Sequence, residues 1–159
     1  MEQTVRTKQT LIRNYRKYSG ADSYIIGYIY KKKLFMTKVN EIMPRFMVVS
    51  NSDTRGQSLR LYLNNKLKEQ LLKQNAILLG NQEILDNGEK NRGWAFEKII
   101  YDYYKINPYK GKDNKGFWLG GDINIKGEEI QIKFENATMC STSTLEKLKK
   151  GTQKKYKNF

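Results

Sequence analysis

The sequence predicts an α/β fold of the α+β type, in which a small mixed β-sheet is flanked by helices. Short segments rich in β-branched and aromatic residues indicate strands. Longer segments in which apolar residues recur every three or four positions indicate helices. At 159 residues the chain has the length of one domain, so we expect a single domain whose two halves comprise residues 1–90 and 91–159.

The N-terminal half begins with a basic segment that has a helical spacing of apolar residues. We predict a short basic helix over residues 3–18, which ends at Ser19-Gly20 because glycine commonly follows the last turn of a helix. The apolar residues of this segment are Leu11, Ile12, Tyr15 and Tyr18.

Three β-rich segments follow, and we expect them to form an N-terminal sheet. Residues 24–30 and 34–39 predict a hairpin with a turn at 31–33, and residues 46–49 predict a third strand. After them, Ser58 can cap a helix in which leucines recur every four residues. These leucines are Leu59, Leu63, Leu67 and Leu71.

The C-terminal half starts after residues 87–92, which we predict to be the joint between the two halves. A helix is expected from Arg92 to Tyr104, because Pro108 lies just past its end and an apolar stripe runs along it. The stripe consists of Trp94, Phe96, Ile99, Ile100, Tyr103 and Tyr104. A hairpin of residues 122–126 and 128–135 should turn at Gly127, and a lysine-rich helix should follow at 143–156.

Composition excludes several classes of protein. The chain has no histidine and a single cysteine, Cys140. A disulfide framework, the common zinc sites and histidine-based catalytic triads are therefore ruled out. No apolar run approaches the ~18 to 20 residues that span a bilayer, and no signal-peptide segment is visible. We therefore expect a soluble, cytoplasmic protein.

The net charge of +14 predicts an acidic partner, either nucleic acid or a nucleoprotein, because such a field attracts phosphate backbones and speeds encounter. An AT-rich genome, which inflates lysine codons, is the alternative explanation of the charge. The excess is greatest in the first and last thirds of the chain. The basic residues expected to contact a nucleic acid or partner are Arg13, Arg16, Lys17, Lys31, Lys32, Lys33, Lys110, Lys112, Lys115, Lys147, Lys150 and Lys154.

The C-terminal hairpin carries the residues that suggest chemistry. Strand alternation places Asp122 and Asn124 on one face of the first strand, and Gln131 and Lys133 on one face of the second. If the hairpin pairs around Gly127, these polar faces coincide. A carboxylate that holds Mg²⁺ beside a lysine that orients water is a typical arrangement for phosphodiester hydrolysis. Any amphipathic hairpin, however, also has a solvated polar face.

Three motifs resemble the PD-(D/E)XK nuclease superfamily: Arg-Gly-Trp-Ala-Phe-Glu-Lys-Ile-Ile at 92–100, Gly-Gly-Asp at 120–122 and Glu-Ile-Gln-Ile-Lys-Phe at 129–134. The resemblance covers about residues 91–145 and implies a restriction-endonuclease-like core in the C-terminal half. It implies Glu97 as the helix acid, Asp122 as the first metal ligand, Gln131 in place of the second acid and Lys133 as the catalytic lysine. It also implies a Mg²⁺ ion held by Asp122 and Glu97.

One position departs from the family pattern. Gln131 is neutral where the family most often has Asp or Glu, and loss of an anionic ligand weakens the attraction for a hard cation. Glu129 or Glu135, on the same strand face, could compensate.

Three functional hypotheses follow. The first is a phage or mobile-element nuclease that cleaves or nicks DNA with Mg²⁺. The second is a catalytically silent scaffold, since a fold does not dictate a function; in size, charge and low-GC character the chain is similar to staphylococcal anti-CRISPR proteins, which implies inhibition of a Cas9–guide RNA complex. The third, a DNA-packaging protein, explains the charge but not Glu97, Asp122 and Lys133.

Overall fold

The computed structural model describes residues 2–18, 20–52, 56–89, 91–106 and 122–141. Over these ranges the chain forms three α-helices and eight strands. The helices are α1 (Glu2–Tyr18), α2 (Asn65–Leu72) and α3 (Arg92–Tyr104). The strands are β1 (Ser23–Tyr30), β2 (Lys33–Val39), β3 (Met47–Ser52), β4 (Gly56–Leu61), β5 (Ile77–Asn81), β6 (Ile123–Ile125), β7 (Glu128–Phe134) and β8 (Thr138–Ser141). Two short 3₁₀ turns lie at Pro44–Phe46 and Gln82–Leu85.

The strands form two sheets, and the larger one contains strands from both halves of the chain. Its order is β5-β2-β1-β7-β6. Strands β1 and β7 are parallel neighbours, whereas the other pairs are antiparallel. The smaller sheet has the order β3-β4-β8 and is antiparallel throughout. The α+β class predicted from the sequence, with a mixed sheet and flanking helices, is therefore confirmed.

Apolar side chains pack on both faces of the larger sheet. On one face, α1, α2 and the smaller sheet cover one set of β1 side chains. The buried residues of this cluster include Leu11, Tyr15, Tyr24, Ile26, Tyr28, Leu59, Leu61, Leu67 and Leu71. On the other face, α3 covers a second cluster that includes Ile25, Leu34, Phe96, Ile100, Ile123, Ile130, Ile132 and Phe134. Alternation along β1 and β7 assigns each side chain to its cluster.

Gly27 determines how closely α3 approaches the sheet. A Cβ atom at Gly27 would overlap the ring of Phe96, so only glycine leaves room for that ring over the middle of β1. Phe96 is fully buried, and its ring centre lies 5.5 Å from that of Phe134 on β7. This contact fixes the position of α3 above the strands that carry the candidate site.

Several predicted elements are confirmed. The basic N-terminal helix, the hairpin of β1 and β2, α3 and the C-terminal hairpin all lie at the expected positions. The third N-terminal strand also exists as β3. It does not join the sheet of β1 and β2, because β3 pairs with β4 in the smaller sheet.

The predicted leucine-rich helix is wrong in its first half. Residues 56–61 form strand β4, in which Leu59 and Leu61 are buried and Arg60 is exposed. The helix begins only after Asn64, whose side chain accepts a 2.9 Å hydrogen bond from the Leu67 amide. Spacing by four residues coincides with spacing by two, so Leu59 fits both a helix and a strand.

The stripe predicted along α3 is partly wrong, and two strands besides β4 were not predicted. Phe96 and Ile100 are buried, but Trp94 and Tyr103 are 54% and 47% exposed. Strand β5 pairs with β2, and β8 pairs with β4.

Within the described ranges, no helix is both long and apolar enough to cross a membrane. The loop with Lys110, Lys112 and Lys115 and the predicted helix with Lys147, Lys150 and Lys154 lie outside those ranges.

Candidate functional site

The hairpin of β6 and β7 pairs around the turn that the sequence predicts. Ile123 lies opposite Ile130, and Asn124 lies opposite Glu129. The turn residues Lys126 and Gly127 both have positive φ angles, of 51° and 88°, as a two-residue hairpin turn of the primed type requires. Asn124 accepts a 3.0 Å hydrogen bond from the Gly127 amide and donates another of 3.0 Å to Glu129. The polar faces of the two strands therefore coincide.

Asp122 extends the pairing of this hairpin beyond β6. Its amide donates to the Ile130 carbonyl at 2.8 Å. Its carboxylate oxygen Oδ2 accepts a 2.8 Å hydrogen bond from the Ile132 amide. The residue that resembles a first metal ligand thus holds the edge of β7 through main-chain contacts.

Gln131 lies on the sheet face that carries α1. The hydroxyl of Tyr15, a buried residue of α1, donates a hydrogen bond to its side-chain oxygen Oε1. The neighbours Ile130 and Ile132 face α3 instead. The position that would carry the second acid of a nuclease therefore links α1 to the sheet.

Lys133 lies on the same face as Gln131, since it follows by two residues on β7. Its ammonium group donates to the carbonyl of Thr138 on β8 at 3.1 Å. This contact connects the larger sheet to the smaller one.

The two acids expected to compensate for Gln131 have partners elsewhere. Glu129 accepts from Asn124, as described above. Glu135 forms an ion pair with Lys68 of α2 at 2.8 Å, with both side chains less than 15% exposed. Glu135 also accepts a 3.1 Å hydrogen bond from the Ile29 amide. Removal of either member of such a pair would leave the other charge buried.

Glu97 and Asp122 act on the same tyrosine. Tyr101 lies one helical turn after Glu97 on α3. Burial and, after it, the negative charges of Glu97 and Asp122 together raise the pKa of Tyr101 to about 12. The helix acid and the hairpin acid are thus near one phenol, although they come from different elements.

A cleft at the end of β7 is lined by residues that include Glu97 and Lys133. It has a volume of about 450 Å³ and lies between the first turns of α3 and the last residues of β7. The other residues that line it include Asn91, Arg92, Trp94, Phe134, Glu135 and Asn136. Among the described residues, Asp122 and Gln131 do not belong to the lining of this cleft.

The placement of the acidic side chains in the described residues bears on the expected magnesium site. Among these residues, no three His, Cys, Asp or Glu side chains lie close enough to hold a metal ion together. Mg²⁺ in proteins is usually bound by one or two carboxylates, with waters and substrate phosphates as its other ligands, so the expected pair of Asp122 and Glu97 stays a prediction. Of these two, Asp122 accepts from the main chain of β7. Gln131, in place of the second acid, accepts from Tyr15.

Among the described residues, the basic residues predicted to bind a partner come from two parts of the fold, α1 and the β1–β2 hairpin. Arg13 and Arg16 lie on α1, and Arg16 forms an ion pair with Glu41. Lys31 and Lys32 form the turn between β1 and β2 with positive φ angles of 50° and 62°, and Lys33 begins β2. All three lysines are exposed. Lys17 lies in α1.

Sequence analysis missed three residues that the structure brings to the site. Arg92 and Trp94 line the cleft, and Tyr101 lies near both acids. Trp94 was assigned to the buried stripe because its spacing from the next apolar residues fits a helix face. Trp94 lies in the first turn of α3, close in sequence to the polar residues Asn91 and Arg92. This position could have indicated from the sequence that its side chain is exposed.

Comparison of the chain with family models, with curated proteins and with solved structures found no match.

Proposed function

We propose that this protein is a catalytically silent, nuclease-like scaffold that binds a nucleoprotein, and that it acts as an anti-CRISPR inhibitor of a Cas9–guide RNA complex. The proposal rests on the hydrogen bonds of Asp122, Gln131 and Lys133. These bonds connect the three residues to other parts of the fold. Residues with such contacts contribute to structure whether or not the protein performs a reaction.

The residues available to bind a metal ion support a scaffold without catalytic activity. Hydrolysis of a phosphodiester by this family's chemistry needs acids that converge on a metal ion and a lysine beside them. Gln131 supplies an amide where an anion is expected, and Glu135 is paired with Lys68. A protein that binds through its surface requires no such convergence.

The charge supports a partner that contains nucleic acid. A net charge of +14 gives a long-range attraction for guide RNA and target DNA, both of which carry one phosphate per nucleotide. The similarity in size and composition to staphylococcal anti-CRISPR proteins makes the Cas9–guide RNA complex the first partner to test. We expect binding to weaken as salt concentration rises.

Metal-dependent cleavage or nicking of DNA is the second candidate. Two observations favour it: Glu97 and Lys133 line the same cleft, and Glu97 and Asp122 both act on Tyr101. The hydrogen bond from the Ile132 amide uses one acceptor position of the Asp122 carboxylate, and a carboxylate has further acceptor positions for a metal ion.

Two assays on one set of variants separate these functions. The first measures cleavage of supercoiled plasmid and single-stranded DNA with Mg²⁺ or Mn²⁺; the second measures Cas9 target cleavage and co-elution at physiological salt. Lys133→Ala is the test variant, and Lys66→Ala, at an exposed lysine of α2, is the control of equal charge. We expect no nicking by any form, and inhibition of Cas9 by all three.

Metal-dependent nicking that is lost in Lys133→Ala but kept in Lys66→Ala would establish the nuclease instead. Normal Cas9 cleavage in the presence of the protein, together with separate elution of the two, would exclude the inhibitor.

A further inference from the structure

The cleft at the end of β7 contains an exposed tryptophan that has no role in the core. Trp94 is 54% exposed, although it lies on a helix whose next residues, Ala95 and Phe96, are fully buried. A large aromatic side chain on the surface, at the mouth of a cleft, is a common feature of binding sites.

We propose that this cleft binds one nucleotide of a single-stranded nucleic acid, with the base stacked on Trp94 and the phosphate beside Arg92. The inference goes beyond the proposed inhibition of Cas9, because it concerns the isolated chain and a ligand that can be tested without any protein partner.

The lining of the cleft matches the two chemical parts of a nucleotide. Trp94 offers a flat apolar surface, and stacking on such a surface tolerates every base because each base has a π-face. Arg92 is exposed at the same opening, and a guanidinium group matches the geometry of a phosphate. Asn91 and Asn136, both exposed, line the cleft as well. The side-chain oxygen of Asn91 accepts from the Trp94 amide, and the side-chain NH₂ group of an asparagine can donate to a base edge.

Size and charge are consistent with this ligand. The volume of about 450 Å³ falls within the ~300–1,000 Å³ range of small-ligand pockets. Glu135, one of the two acids in the lining, is neutralised by Lys68. The protein as a whole carries a charge of +14, so a polyanion is attracted from a distance while Trp94 acts at short range.

The geometry favours single strands over duplexes. A base inside a duplex is stacked between its neighbours and cannot offer its face to a side chain. In single strands the bases can turn outward and stack on aromatic residues. We therefore expect Trp94 to contribute to the binding of single strands and to leave duplex binding, which depends on phosphate contacts, almost unchanged.

The test is fluorescence anisotropy of a labelled single-stranded oligonucleotide and of the matching duplex, titrated with the native protein and variants. Trp94→Ala should weaken binding of the single strand about 5- to 150-fold, and Trp94→Phe should restore part of the loss. Tyr103→Ala is the matched control, because Tyr103 is an exposed aromatic residue near the other end of α3; it should change the affinity less than twofold. Circular dichroism checks that each variant is folded.

Equal affinity of the native protein and Trp94→Ala for the single strand would overturn the proposal, and so would an equal loss for single strand and duplex. The same variants are also tested for co-elution with the Cas9 complex. Loss of co-elution with unchanged oligonucleotide affinity would make the cleft a protein-docking surface and refute the nucleotide site. Loss of oligonucleotide affinity with full Cas9 inhibition would uphold the nucleotide site and separate it from the inhibitor function.

Discussion

The two faces of the five-stranded sheet are stabilised in different ways. The face under α3 is packed with apolar side chains around Phe96, and Gly27 lets that ring approach. The opposite face carries polar contacts as well as apolar ones. These contacts link Tyr15 to Gln131, Thr37 to Tyr28 and Leu71, and Lys68 to Glu135. The nuclease-like positions are divided between these faces, with Glu97 on the first side and Gln131 on the second.

This difference shows what each face can tolerate. Apolar packing loses energy in proportion to the volume removed, so the α3 face should respond to any large truncation. A buried hydrogen bond network fails when one partner is removed and another is left unsatisfied. The α1 and α2 face should therefore respond to small changes of polarity at constant volume.

Truncation of Phe96 should have the largest effect. Phe96→Ala removes a fully buried ring and should lower the free energy of unfolding by about 3–5 kcal/mol. Trp94→Ala, on the same helix but exposed, should change it by less than about 0.5 kcal/mol. Urea denaturation of the three proteins measures both values. Similar losses in the two variants would contradict the placement of α3.

Removal of a polar group on the opposite face should have the next largest effect. Thr37 is fully buried; its hydroxyl donates to the Leu71 carbonyl at 3.1 Å and lies 2.6 Å from the hydroxyl of Tyr28. Thr37→Val keeps the volume but removes the partner of the buried Tyr28 hydroxyl, at a cost of about 1–3 kcal/mol. The Leu71 carbonyl still accepts from the Gln74 amide. Thr37→Ser keeps the hydroxyl and should lose less. If valine were as stable as threonine, the network would not support this face.

Local sequence patterns were sufficient to predict the elements that periodicity defines. The C-terminal hairpin follows from the alternation of residues 128–134 and from Gly127, and α3 follows from its apolar spacing and the proline beyond it. The error at residues 56–61 arose because Leu59 and Leu63 fit a helix, while burial of Leu61 beside exposed Arg60 depends on pairing with β3.

Long-range pairing was not visible in the sequence. Parallel pairing of β1 with β7 places Tyr24 beside Gln131, and no local pattern links these two segments. The candidate site was predictable as a set of residue types, but the partners of those residues were not. Tyr15 binds Gln131 from 116 positions away, so only the tertiary structure assigns that glutamine to a structural contact.

Loss of a helix cap should have a smaller effect and tests the corrected start of α2. Asn64 accepts from the Leu67 amide at 2.9 Å. Asn64→Ala should therefore lower the free energy of unfolding by about 1 kcal/mol. Asn65→Ala, one residue later and already inside the helix, is the control and should be close to neutral. A larger loss in Asn65→Ala than in Asn64→Ala would place the start of the helix elsewhere.

The smallest expected effect concerns pH and shows which acids face α3. The pKa of Tyr101 is raised from 10.0 to about 12, first by burial and then by the charges of Glu97 and Asp122. Below pH 10 the folded and unfolded chains both keep the phenolic proton, so the contribution of Tyr101 to stability is constant. Between pH 10 and 12 the unfolded chain loses that proton first, and stability falls as pH rises. Tyr101→Phe should remove this part of the fall, as measured by denaturation across that range.

Two neutralising variants extend this test to the division of the site between the two faces. Glu97→Gln and Asp122→Asn should each lower the pKa of Tyr101, measured as the difference in tyrosinate absorbance from the same variant with Phe at position 101. The asparagine oxygen can still accept from the Ile132 amide, so the edge of β7 is kept. If only Glu97→Gln had an effect, Asp122 would act on the α1 side with Gln131, and the acids of the nuclease-like motif would lie on opposite faces of the sheet. A shift of the Tyr101 pKa in both variants would place both acids beside α3.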